Sequence, residues 1–140
     1  MQCEHILVPM DFSAGSEQAL TAATGLARQF RARLTLIHAA HAADEFEMFR
    51  RMVEPAWQRE MEARRKRVEE AAVPVDTIMT RGVAAQTIVE TARGKGVDLI
   101  VMGTHGRTGL RHMLIGSVAE RVVRLAPCPV MVVPDRSDTR

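Results

Sequence analysis

Two stretches of this 140-residue chain carry side chains and glycines suited to holding an anion. One is Gly103-Thr104-His105-Gly106-Arg107-Thr108-Gly109, followed further on by Gly116-Ser117. Glycine lets backbone N–H groups come close to an anion and allows positive φ. A helix opening near Ser117 adds unpaired N–H donors and the positive end of a dipole. Arg107, Arg111 and the hydroxyls of Thr104 and Thr108 are the residue types that bind phosphate oxygens. The competing reading is a loop that simply turns the chain, because G-x-x-G alone is a weak signal. The other stretch is Pro9-Met10-Asp11-Phe12-Ser13, where Asp11 supplies an acceptor-only carboxylate. Asp11 is equally suited to capping the helix that follows.

Other chemistries find less support. Lys66 and Lys95 are the only lysines, and neither sits in a Gly-x4-Gly-Lys loop, which excludes P-loop chemistry. No serine stands in a G-x-S-x-G elbow. His38 and His41, three apart on a strand, would point to opposite faces and so do not form a metal pair. His105 has no evident partner carboxylate and reads as a residue packing beside a ligand rather than a general base. Cys3 and Cys128 make no disulfide framework, redox pair or zinc site, and Cys128 reads as a packed thiol.

Such residues need elements to place them, and composition and periodicity supply those. A content of 46% hydrophobic and 26% charged residues excludes disorder and collagen-like architecture. The net charge of +2 is too small to argue for nucleic acid as a partner. No stretch approaches the roughly 20 apolar residues of a membrane helix, and the N-terminus does not read as a signal peptide. A cytoplasmic protein, one domain over residues 1–140, is expected. Strands are expected at His5–Pro9, Arg33–Ala39, Val75–Thr80, Leu99–Met102 and Val130–Val133. Helices are expected between them: one through Ala19 and Phe30 capped by Ser13 or Ser16, a long charged one started or kinked by Pro55, one through Ile88, and one at Ser117–Leu125. On the long helix Trp57, Met61, Val68 and Ala72 mark the inner face, with Met48 and Met52 expected in the core or in a docking stripe. This alternation implies a doubly wound α/β fold, a parallel sheet with helices on both faces. With the common order 3-2-1-4-5, a crevice opens beyond strands 1 and 4.

Gly103-x2-Gly106, nine residues, then Gly116-Ser117 resembles the G-x2-G-x9-G-[S/T] signature of the universal stress protein family, in its ATP-binding branch. The strand-1 ending Ile6 to Ser13 and the tail Pro127 to Pro134 are also similar to that family. The resemblance implies a five-stranded Rossmann-like sheet of order 3-2-1-4-5. It further implies that Pro9, Met10, Asp11, Ala39 and Met102 surround an adenine and its ribose, with Gly103 against the ribose. Gly106, Arg107, Gly116, Ser117 and Val118 would hold the phosphates, with His105 in the same loop. Asp11 suits a ribose hydroxyl or the adenine amino group and could help place Mg2+ or Mn2+. Ser117 could cap its helix and bind phosphate at once. Two positions depart from the family: Ala39 is smaller than the valine often found there, and Ala84 replaces a common proline, with little consequence expected at the site.

The function expected from these residues is an ATP-binding regulatory protein of the stress response, nucleotide serving as a switch for protein clients. No catalytic residue is assigned, and turnover is at most slow. The last strand, Val130 to Val133, would be an apolar sheet edge, and pairing two such edges gives a homodimer. The alternatives are a nucleotide-independent dimeric interaction module and a slow ATPase or phosphoryl transferase.

Overall fold

The continuous apolar run His5–Pro9 forms β1, and residues 5–8 are buried, as a central parallel strand requires. The computed structural model describes residues 2–40, 47–105 and 115–135, with the backbone alone for residues 47–50. After β1 come α1 (Ala14–Phe30), β2 (Arg33–Ala40), α2 (Glu47–Glu70), β3 (Val75–Arg81), α3 (Ala84–Gly94), β4 (Leu99–Gly103), α4 (Ser117–Leu125) and β5 (Val130–Val133). Every pairing is parallel and the order is β3-β2-β1-β4-β5, as expected.

Side-chain alternation along β1 divides the core in two. Ile6 and Val8 pack with Leu34 and Leu36 beneath Leu20 and Ala23 of α1 and Met61 and Val68 of α2. Leu7, on the other face, packs with Ile37 and Ile100 beneath Ile88 of α3 and Val122 of α4. Helices therefore cover both faces.

Local chemistry sets the element boundaries. Of the two candidate caps for α1, Ser13 is the one used: its hydroxyl accepts from the Ser16 N–H at 3.2 Å. Pro55 lies inside α2, not at its start. Met61 and Val68 are buried, but Met52 is 75% exposed. Nine residues at about 100° each put Met52 on the face opposite Met61, which is why it misses the core. Ala72 lies past the helix end, exposed, in the left-handed region at φ 64°. Met48 has no described side chain.

Arg64 and Arg67 of α2 both pair with Glu17 of α1 and hold the two helices side by side. Burial pushes the Glu17 carboxyl up, but the hydrogen bonds from Arg67 and Arg64 outweigh it and hold the group below its ordinary value. The Glu60–Arg64 and Arg65–Glu69 pairs are i,i+4 contacts on the solvent side of α2, where water screens them. At the amino end of the sheet, the Thr35 hydroxyl donates to Asp76 at 2.6 Å and accepts from His5 Nε2 at 2.7 Å. Burial, then nearby Arg33, holds the His5 imidazole below its ordinary value.

Candidate functional site

The sheet order reverses between β1 and β4, and a crevice of about 260 Å³ opens beyond their carboxyl ends. That volume lies near the lower end of the ~300–1,000 Å³ range of small-molecule sites. Buried Met10 and Met102 line it with Ile37 and Ala39 of β2 and Ala84 and Ile88 of α3, an apolar surround. Asp11, Ser16, Thr104, His105 and Ser117 add the polar groups.

Three helices begin at this crevice, and they begin differently. α1 is capped: Asp11 Oδ1 accepts from the Ser13 N–H at 3.0 Å and the Ser13 hydroxyl at 2.5 Å, and Ser13 caps the helix in turn. The capping reading of Asp11 is thus realised one step removed, through the cap residue. α3 starts after Val83 and α4 after Gly116, and neither has a side-chain cap. Ser117 is therefore the first helical residue of α4 and not its cap. An uncapped start leaves N–H donors without intrahelical partners, with about half a positive charge from the dipole. Ala84, expected to matter little, stands on the crevice wall as the first residue of α3. It keeps an N–H that a proline there would lack.

The glycines face the chain itself. A Cβ on Gly103 would stand 2.9–3.2 Å from backbone atoms of Gly15, and one on Gly15 would stand 3.1 Å from the His105 carbonyl oxygen. A Cβ on Gly116 would lie 2.9 Å from the Thr104 oxygen, which already accepts the Gly116 N–H at 2.6 Å. These contacts draw the starts of α1 and α4 onto the end of β4.

Ten of the expected site residues line this crevice: Pro9, Met10, Asp11, Ala39, Met102, Gly103, His105, Gly116, Ser117 and Val118. Gly106 and Arg107, with Thr108, Gly109 and Arg111, lie outside the described residues. Ser16, Ile37, Ile88 and Ala119 also line it and were not anticipated. Their signal was available, because Ala84 and Ile88 share a helix face at i,i+4 and Ile37 and Ala39 share a strand face at i,i+2. His38 points to the opposite sheet face, and His41 lies outside the described residues. Neither lysine lines the crevice. Burial pushes the Cys3 and Cys128 thiols up, away from the reactive thiolate.

Residues 3–134 match the model of the universal stress protein family. The chain is 39% identical over 136 residues to universal stress protein MJ0531 of Methanocaldococcus jannaschii, covering 91% of this chain and 80% of that protein. The solved structure of MJ0577 from the same organism matches with a TM-score of 0.83 at 31% identity, covering 96% of this chain and 97% of that one. A universal stress protein solved in complex with cAMP shares the fold, with a TM-score of 0.73 at 23% identity, covering 96% of this chain and 99% of that one.

Proposed function

This chain belongs to the universal stress protein family, and we propose that it is an ATP-binding regulatory protein of the stress response. Residues 1–140 act as one unit, with the nucleotide in the crevice between β1 and β4. The carrying observation is the convergence of the uncapped starts of α3 and α4 on one apolar pocket. Met10, Met102, Ala39 and Ile88 suit the faces of a purine. Asp11 and Pro9 lie where the ribose and base edge would be recognised, and Gly103 and His105 flank them. The N–H groups of Ser117 and Val118 at the α4 start receive phosphate oxygens, joined by Gly116 and, from the sequence pattern, Gly106 and Arg107.

The cAMP in the related complex is that protein's ligand, and it agrees with an adenine nucleotide on this scaffold. Among the described residues no three His, Cys, Asp or Glu gather to hold a metal. Mg2+ or Mn2+ would be carried on the phosphates, with Asp11 a carboxylate on the crevice wall. The fit supports binding and switching more than turnover. Lys66 and Lys95 both stand away from the crevice, so a phosphoryl-transfer lysine is lacking.

ATP at ten times its dissociation constant is expected to raise apparent stability by about 1.4 kcal/mol, or about 5 °C in the melting midpoint. A midpoint that millimolar ATP does not move would favour the nucleotide-independent interaction module. No helix among the described residues is long and apolar enough to cross a membrane.

The dimer is part of the same proposal. β5 ends the sheet; its Met131 is 39% exposed, and Val123 and Leu125 of α4 are 50% and 47% exposed. Pairing Val130–Val133 with the same strand of a second copy would cover that edge. Sedimentation at micromolar concentration should return twice the 15.5 kDa chain mass, and a monomer there removes this part of the proposal.

A further inference from the structure

We infer that His38, on the far face of the sheet, is a positioning residue that sets the end of β1 for ligand and ties it to α2, an inference that takes its ligand from the nucleotide reading above. Ile37 and Ala39 line the crevice, so the buried imidazole between them faces the other way. Its Nδ1 lies 2.8 Å from the Met10 carbonyl oxygen. A carbonyl only accepts, so Nδ1 carries the proton. Nε2 is buried and has no hydrogen-bond partner among the described residues. The Met10 N–H donates to the Ile37 carbonyl at 2.8 Å. Met10, one residue past β1, is therefore held at both backbone groups by consecutive residues of β2.

Asp11 comes next, and after it Phe12 at φ 65°, a left-handed conformation rare for a bulky residue. The same imidazole meets the Phe12 ring at 4.9 Å between centroids. The crevice carboxylate thus sits between two residues that both rest on His38. α2 closes the assembly from outside. Trp57 packs on His38 at 5.0 Å, and the Arg64 guanidinium lies 5.1 Å from the Phe12 ring centre. A ligand that shifts Asp11 must press through Met10 and Phe12 onto the imidazole and so onto α2.

Trp57 is the only tryptophan, so its emission reports on this junction. ATP affinity and Trp57 emission should be measured together for the parent, His38→Leu and His38→Asn. His38→Leu fills the space without the donor and should bind ATP about tenfold more weakly, with the ATP-induced emission change reduced. His38→Asn offers an amide N–H toward the Met10 carbonyl and should stay within about threefold of the parent, with the emission change restored. If His38→Leu does not fold, Trp57→Leu leaves His38 in place and should weaken ATP by about threefold to fivefold in a direct titration. Parent-like affinity in His38→Leu, or in Trp57→Leu where that replaces it, overturns the inference, as does an Asn variant as weak as Leu. A parent that binds no adenine nucleotide overturns the nucleotide reading as well, which separates the two failures.

Discussion

Gly103→Val is expected to destabilise the fold by about 3 kcal/mol, lowering the melting midpoint by about 10 °C. A Cβ at this position would meet the Gly15 carbonyl carbon at 2.9 Å, its oxygen at 3.0 Å and its Cα at 3.2 Å. All three are backbone atoms near the start of α1, so no side chain can swing aside. Relief requires α1 to lift from β4, and α1 carries Ala19, Leu20, Ala23 and Ala27 of one core. Overpacking that only displaces a flexible side chain costs less than this. Calorimetry decides the matter, and a variant melting within about 2 °C of the parent would show that the contact is loose.

Gly116→Val should act on the ligand more than on the fold, weakening ATP about 100-fold. Here a Cβ would stand 2.9 Å from the Thr104 oxygen and 3.4 Å from the His105 Cα. The backbone at Gly116 (φ −73°, ψ 164°) is ordinary for any residue, so the local conformation survives. The clash is relieved by moving the start of α4 away from the end of β4. That displaces the donors at Ser117 and Val118 from the phosphates they are proposed to hold. Losing two charge-assisted hydrogen bonds of about 1.5 kcal/mol each is close to a factor of 100. Titration calorimetry on the folded variant tests it, and an unchanged dissociation constant would remove α4 from the cradle.

The architecture was legible because its signals are periodic and strong. The short run Leu99-Ile100-Val101-Met102, stopped by Gly103, reads as a strand buried on both faces, and the apolar spacing from Ala19 to Ala27 reads as a helix face. Strand order is a different matter, since period two is blind to neighbours. It came from the resemblance carried by the glycine spacing and the Pro127 to Pro134 tail, and the structure has that order. Of the two readings of Met52, the core one fails, because the buried face is set by Met61 and Val68 and Met52 lies opposite it.

At the crevice, the residues read from the ends of β1 and β4 do line one space, because a parallel sheet brings its carboxyl ends together. The place of Ala84 on the crevice wall is not legible in the sequence, because the crossover geometry that brings the start of α3 over the crevice leaves no mark in local sequence. Gly15 escaped notice because a glycine inside a helical pattern gives no hint of the backbone it must admit. The spacing of His38 and His41 argues against a metal pair but says nothing of the tie to Met10, which depends on a ladder that only the folded sheet creates.

The contacts among Gly15, Gly103 and Gly116 behave as stitching. Where strips of backbone are sewn this tightly, a larger residue strains the seam: at Gly103 the fold gives first, and at Gly116 the phosphate end of the crevice does. Ala39 and Ala84 belong to the lining, and each offers the void a methyl group. Swapping those two re-tailors the pocket for a broader or narrower heterocycle while every stitch stays in place, so one garment pattern can be cut for different wearers.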